Sequence, residues 1–221
     1  MICVGAMDQD CSPLGCGNIR EGDTAIVMGT YGACFICSDS IPYDPNPSRL
    51  MVKSHSYFGP DGINTYTIEG GSNTSASSYR WYRDRIAAIE VAASRVSGVD
   101  SYELINAQIA GSVPGAHGVT FLPFLQGRMG GKANGDAAAA FVGMRLSTER
   151  ADLARAVMEG ICFEIYETIL AQCKAGLTVG DIRLTGGAAK SPMWVQMQAD
   201  IYQRPVSVLQ TSENGCLGAA L

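Results

Sequence analysis

"LTGGAAKSPMWVQMQADIYQRPV" runs from Leu184 to Val206, and its reading decides the fold. The apolar run Ile182–Leu184 has the character of a buried strand. Gly186 and Gly187 follow, then a helical pattern from about Met193 to Tyr202, then a second strand, Val206–Leu209. Glycine tolerates positive φ and lets another group come close to the backbone. A helix N-terminus offers unpaired N–H groups and the positive end of the dipole. The stretch therefore suits an anionic or flat ligand. The competing reading is a tight strand-to-helix turn with no ligand.

Upstream, Ser147 reads as the N-cap of a helix reaching about Ala175, with Leu153, Val157, Ile161, Ile165 and Ile169 as its buried row and Gly176 closing it. Downstream, "ENGCLGAAL" opens a last helix. The front half is strand-rich. "ICVGAMD" reads as a strand ending at Asp8, "DCSPLGCGN" as a short helix, and "DTAIVMGTYGACFICSD" as two strands joined at Gly29–Gly32. "SIPYDPNPSRL" is a Pro/Asn-rich loop, and "VKSHSYF" and "NTYTIEGG" are strands around a "GPDG" turn. A helix is expected from Thr74 to Ser97, with Tyr79, Tyr82, Ile86 and Ile89 on one side and Gly98 at its end. "GVTFLPFLQGRMGGKANGDAAAAFVGM" reads as a strand, a Gly-rich loop and an apolar segment. The whole implies an α/β fold on a mixed sheet flanked by helices.

Composition narrows the function. Apolar residues make up 47% of the 221 and charged residues 17%, enough core and too little charge for a disordered chain. A net charge of −5 gives no polybasic footprint for nucleic acid, and "RWYRDR" is adequately explained as a helix surface. No signal peptide and no membrane-length apolar stretch is evident. Eight cysteines, mostly in apolar surroundings, fit free thiols in the reducing cytoplasm. "CFIC" has C-x-x-C spacing, but residues three apart on a strand face opposite sides, no second pair lies at finger spacing, and His55 and His117 are isolated. No metal site is expected there.

There is no phosphate-binding G-x-x-x-x-G-K-[ST], no G-x-S-x-G elbow and no H-E-x-x-H. What remains is three small-residue turns, each after an apolar strand: Gly5–Asp8, Gly29–Gly32 and Gly186–Ser191. Such turns suit phosphate and adenine contacts. Asp8 sits at one of them, as a general base within reach of a substrate hydroxyl or as a turn or N-cap residue.

One stretch carries a resemblance. "AAFVGMRLSTERADLARAVME", Ala139–Glu159, resembles the second signature of the FGGY carbohydrate kinases: Ala139, Phe141, Gly143 and Met144, then Asp152 and Leu153 after a spacer, then Ala156, Val157, Met158 and Glu159. "VGAMDQDCSPLGCG" resembles that family's catalytic-aspartate turn and "MGTYG" its phosphate loop. "GVTFLPFLQGR" resembles its Leu-Pro segment, the opening stretch is similar to the adenosine-side motif of xylulokinase-like members, and "ENGCLGAAL" resembles the closing helix. The resemblance implies the C-terminal, ATP-binding lobe of an actin-like, ribonuclease H-like kinase over residues 1–221, with the N-terminal lobe absent and the last helix cut short. It implies Asp8 as the base, Gln9 at the sugar, Thr30 with Gly29 at the γ-phosphate, and Gly143, Gly187 and Ser191 at the nucleotide. It implies ATP, with Mg²⁺ riding on the phosphates. Expected partners are a small sugar or polyol, foremost a ketopentose such as xylulose, then the missing lobe and a homodimer, with neither nucleic acid nor membrane. Glycerol, erythritol or a signalling sugar are alternative acceptors, and a non-catalytic actin-like ATP-binding module is the alternative from another class. Departures are Tyr31 where serine is frequent, Cys11 and Pro13 in a stretch often rich in alanine, the missing acid in "LQGRMGGKANG", and Asp10 as a rival to Asp8.

Overall fold

A computed structural model describes residues 7–43, 50–55, 65–129, 133–210 and 213–221. In chain order the elements are α1 (Asp8–Gly15), β1 (Thr24–Met28), β2 (Gly32–Ser38), β3 (Met51–Ser54), β4 (Tyr66–Ser72), α2 (Ala76–Arg85), α3 (Ala88–Ser97), α4 (Ser101–Ile109), β5 (Thr120–Leu122), β6 (Ala140–Val142), α5 (Arg150–Lys174), β7 (Ile182–Gly186), α6 (Pro192–Tyr202), β8 (Val206–Val208) and α7 (Asn214–Ala220). The strand expected over residues 2–8 does not reach Asp8, since Met7 caps α1 and Asp8 is its first residue; residues 2–6 and the "GPDG" turn lie outside the described residues.

The main sheet has the order β3-β4-β2-β1-β7-β8, and β5 and β6 form a separate pair. β1 pairs antiparallel with β2 and parallel with β7, so the sheet is mixed as expected. Alternation sorts its side chains. Ile26, Met28, Cys34, Ile36, Ile68, Ile182 and Leu184 join the core cluster with Val157, Ile161, Ile165 and Ile169 of α5. Phe35 belongs to the other face, where α1 lies against β1 and α7. The α1–α7 crossing is tight: a Cβ on Gly15 would strike the Asn214 carbonyl, and one on Gly218 the Cys11 carbonyl.

Cys34 and Cys37 are buried, free thiols on β2, and strand alternation puts them on opposite faces. Burial raises both, Cys37 to about 11. Chelator-washed protein should therefore carry no stoichiometric zinc; one zinc per chain would overturn this. Among the described residues no helix is long and apolar enough to cross a membrane.

Three further expectations need correction. The helix expected over Thr74–Ser97 is two helices. Both Ile86 N–H and Ala87 N–H return to the Tyr82 carbonyl, which ends α2 and drops Ala87 into the core. The bend turns Ile89 outward, 65% exposed, so it is not a core residue. Ser147 is not the cap of α5. Glu149 is, in a capping box where its own N–H donates to Asp152 Oδ2 at 3.0 Å. α4 was not anticipated, although Asp100 accepts from Tyr102 N–H at 2.7 Å as an N-cap should.

α5 carries a carboxyl of unusual acidity. Ser72 Oγ donates to Glu164 Oε2 at 2.5 Å, yet burial dominates and pushes Glu164 up to about 7. The folded state therefore holds this proton more tightly than the unfolded chain. Stability falls as pH rises from about 4.5 to about 7 and stays lower above that. Glu164→Gln should be stabilised relative to the parent at pH 8 by about 3 kcal/mol and gain nothing at pH 4. Urea denaturation at both values checks this; an equal effect at both would sink it.

Candidate active site

The C-terminal ends of the parallel strands β1 and β7 open into a cleft of about 670 Å³. Four segments wall it: Met28, Gly29 and Thr30 after β1; Ala76, Tyr79 and Arg80 on α2; Asp100, Tyr102, Glu103 and Asn106 on and before α4; Gly187, Lys190, Ser191 and Trp194 after β7.

The paired glycines have separate jobs. Gly186 has φ 91°, and a Cβ there would collide with the Met28 backbone, so glycine is demanded by the close pairing of β7 with β1. A Cβ on Gly187 would meet nothing within 4 Å, because this residue faces the cleft. Ser191 caps α6, accepting from Trp194 N–H at 3.4 Å, and also accepts from Asn106 Nδ2 at 3.5 Å.

The β1–β2 turn is held from α2. Ala76 N–H donates to the Gly29 carbonyl at 3.0 Å, and Ser77 Oγ donates to the Thr30 carbonyl at 2.9 Å. Arg80 lies one turn further along α2 and is exposed to the cleft. At the other end the wall is aromatic. Tyr79 stacks on Tyr102 with centroids 5.3 Å apart and meets the Trp194 edge at 5.1 Å, while its hydroxyl donates to Asn106 Oδ1 at 2.8 Å. Arg83 covers the Tyr102 ring at 4.7 Å. One end thus offers flat apolar rings and amide groups, the other small-residue backbone and a guanidinium.

Gly29, Thr30, Gly187 and Ser191, expected at the nucleotide, come together in this cleft. Gly143 is not among the residues lining it. It has φ 86°, and a Cβ would strike the Gly118 carbonyl, so its glycine serves backbone packing beside β6. Ala76, Arg80 and the α4 residues were missed. Arg80 looked like an ordinary helix-surface cation; the available signal was the Asp100 cap followed by Ile105 and Ile109 at i, i+4 spacing.

Asp8 and Gln9 stand on the first turn of α1 and do not line the cleft. Asp8 is exposed, and its Oδ1 accepts from Gln9 N–H at 2.8 Å. Asp10, the rival carboxylate, is committed elsewhere: its Oδ1 lies 3.1 Å from Lys53 Nζ. Ser112 and His117 both bond Asp152 Oδ1, at 2.6 and 2.8 Å, and hold its carboxyl down to about 2. Both converge on one carboxylate oxygen, with no serine-to-histidine link, so this set anchors the start of α5.

Fold and cleft place the chain in one class. Residues 24–221 match the C-terminal domain of the FGGY family of carbohydrate kinases, and the chain belongs to that family. A xylulose kinase structure from Rhodospirillum rubrum superposes with a TM-score of 0.82 at 26% identity, over 97% of this chain and 40% of that one. The gluconokinase of Bacillus licheniformis is 34% identical over 99% of this chain and 41% of its own length. The xylulose kinase of Staphylococcus epidermidis (strain ATCC 35984) is 30% identical over 100% of this chain and 41% of its length. The chain thus spans about two-fifths of these relatives.

Proposed function

We propose that this chain is the nucleotide-binding half of an enzyme that transfers the γ-phosphoryl group of ATP to a hydroxyl of a small sugar, sugar acid or polyol. The observation that carries the proposal is the convergence of Gly29, Thr30, Gly187 and Ser191 on one cleft. The residues fit the nucleotide. The Tyr102, Asn106 and Trp194 end suits a base, and the open face of Gly187 admits ribose. Gly29, Thr30 and Arg80 suit the phosphate chain, with Lys190 adding a second cation. ATP with Mg²⁺ supplies the phosphoryl group and neutralises the charge that spreads over it in transfer. Thr30 and the backbone around it orient the phosphates, and Arg80 offers them a fixed positive charge.

Asp8 is the base on this reading: an exposed carboxylate able to take a proton from the acceptor hydroxyl, with Gln9 beside it to bind the acceptor. Residues 1–221 form the C-terminal lobe, and an N-terminal lobe supplies the facing wall. A ketopentose such as xylulose is the first acceptor to test. Gluconate stands beside it, because a gluconokinase matches this chain at 34% identity. A cytoplasmic setting fits the free cysteines. The test is ADP release by the full-length enzyme with pentuloses, aldonates and polyols in turn. Turnover is expected with one of them; ATP binding with no acceptor-dependent turnover on any would favour a non-catalytic module.

A further inference from the structure

Lys53 lies on the edge strand β3 and reaches two carboxylates that belong to different parts of the molecule. Its Nζ is 3.1 Å from Asp10 Oδ1 and 2.6 Å from Glu69 Oε2. Asp10 shares the first turn of α1 with Asp8. Glu69, on β4, is only 1% exposed, and its other oxygen accepts from the Tyr31 hydroxyl at 3.1 Å. Tyr31 directly follows Thr30, and its carbonyl accepts from Gly29 N–H at 3.1 Å. The Tyr31 ring end occupies the space over Gly71 where any side chain would collide with it. A continuous polar chain therefore runs Asp10–Lys53–Glu69–Tyr31, from the helix carrying Asp8 to the turn carrying Thr30.

The geometry of α1 shows why such a link matters. Its C-terminal end is pinned by Arg183, whose Nη1 donates to the Cys16 and Gly17 carbonyls at 3.2 and 2.7 Å, and by Asn18 Nδ2 to the Phe35 carbonyl at 3.3 Å. α7 adds a further hold, with Gly218 against the Cys11 carbonyl close to the Asp8 end. The Asp10–Lys53 pair holds that end, and the buried Glu69 fixes Lys53 in turn. A buried carboxylate has few conformations and needs its cation, so it makes a rigid post rather than a loose surface pair.

We infer that Lys53 is a positioning residue for phosphoryl transfer: by bridging Asp10 and Glu69 it sets the first turn of α1, with Asp8, relative to the β1–β2 turn, with Thr30. This rests on the kinase reading above. Small misplacement of a reacting group costs rate steeply while binding of the other substrate survives.

Two measurements test it. In the full-length enzyme, Asp10→Asn frees the α1 arm and leaves the Lys53–Glu69 pair, so kcat should fall about 10- to 100-fold with nucleotide KM and Tm little changed. The double variant Lys53→Met with Glu69→Gln removes the post without stranding a buried charge; its Tm should stay near the parent's while kcat falls as in Asp10→Asn. Parental kcat in Asp10→Asn or in the double variant would overturn the inference. The second measurement needs no activity. In the 221-residue chain, labelled with ¹⁵N, the double variant should shift the amide resonances of both Asp8 and Thr30. If those amides do not move, the link does not exist, whatever the enzyme does. A parent enzyme that phosphorylates no acceptor would defeat the kinase reading and leave the amide measurement to decide on Lys53.

Discussion

Asp8→Asn in the full-length enzyme is expected to lower kcat by about 10²- to 10⁴-fold, the usual loss when a general base is removed, with little change in ATP affinity. The reasoning starts from two carboxylates two residues apart. Asp10 is tied to Lys53, and through it to a buried carboxylate. Asp8 is exposed at the helix start, bonded through its side chain only to the neighbouring Gln9 N–H among the described contacts. On the proposed reading it is the carboxylate left open to a substrate hydroxyl. The groups proposed for the nucleotide belong to other elements, the β1–β2 turn, α2, α4 and the β7–α6 turn, so base removal leaves them intact. Asparagine keeps the shape and the hydrogen bond to Gln9 but cannot take a proton. Steady-state kinetics with saturating acceptor, together with calorimetric ATP binding, checks both halves. Near-parental turnover would remove the role from Asp8.

The 221-residue chain by itself should bind nucleotide weakly and show no acceptor-dependent ADP release. The walls proposed for the nucleotide are local to it, through Gly187, Ser191, Asn106 and Thr30. On the same reading the acceptor side is represented by Asp8 and Gln9 on the first turn of α1. Phosphoryl transfer depends on holding both partners in line in a water-excluded cleft. On the proposed reading the facing wall belongs to sequence outside these residues, and the chain spans 41% of a related gluconokinase. Acceptor-dependent turnover at an ordinary kinase rate by homogeneous chain would show that the active site has been misplaced.

Strong local signals carried much of the fold. The strand–Gly-Gly–helix run of β7 and α6, the long apolar row of α5 and the β1–β2 hairpin each have one dominant period and clear end residues, so neighbouring sequence is enough to identify them. Gly29, Thr30, Gly187 and Ser191 were legible for the same reason: each sits where a strand stops and a small residue follows. Gly143 shows the limit of that logic. Its motif marks it, but only the approach of Gly118 shows that the glycine serves packing.

The sequence by itself determined an α/β chain of the FGGY kinase type and the small-residue turns that come together in the cleft. Tertiary structure alone decided the break at Ile86–Ala87, because a straight helix would have carried Ala87 away from the core it fills. It alone decided that α4 walls the cleft and that Arg80 faces into it, since local periodicity does not say which neighbour a helix face meets. It also gave the two acids different surroundings, where the motif position had already favoured Asp8 over Asp10. Those surroundings differ because a lysine 43 residues away along the chain reaches one of them.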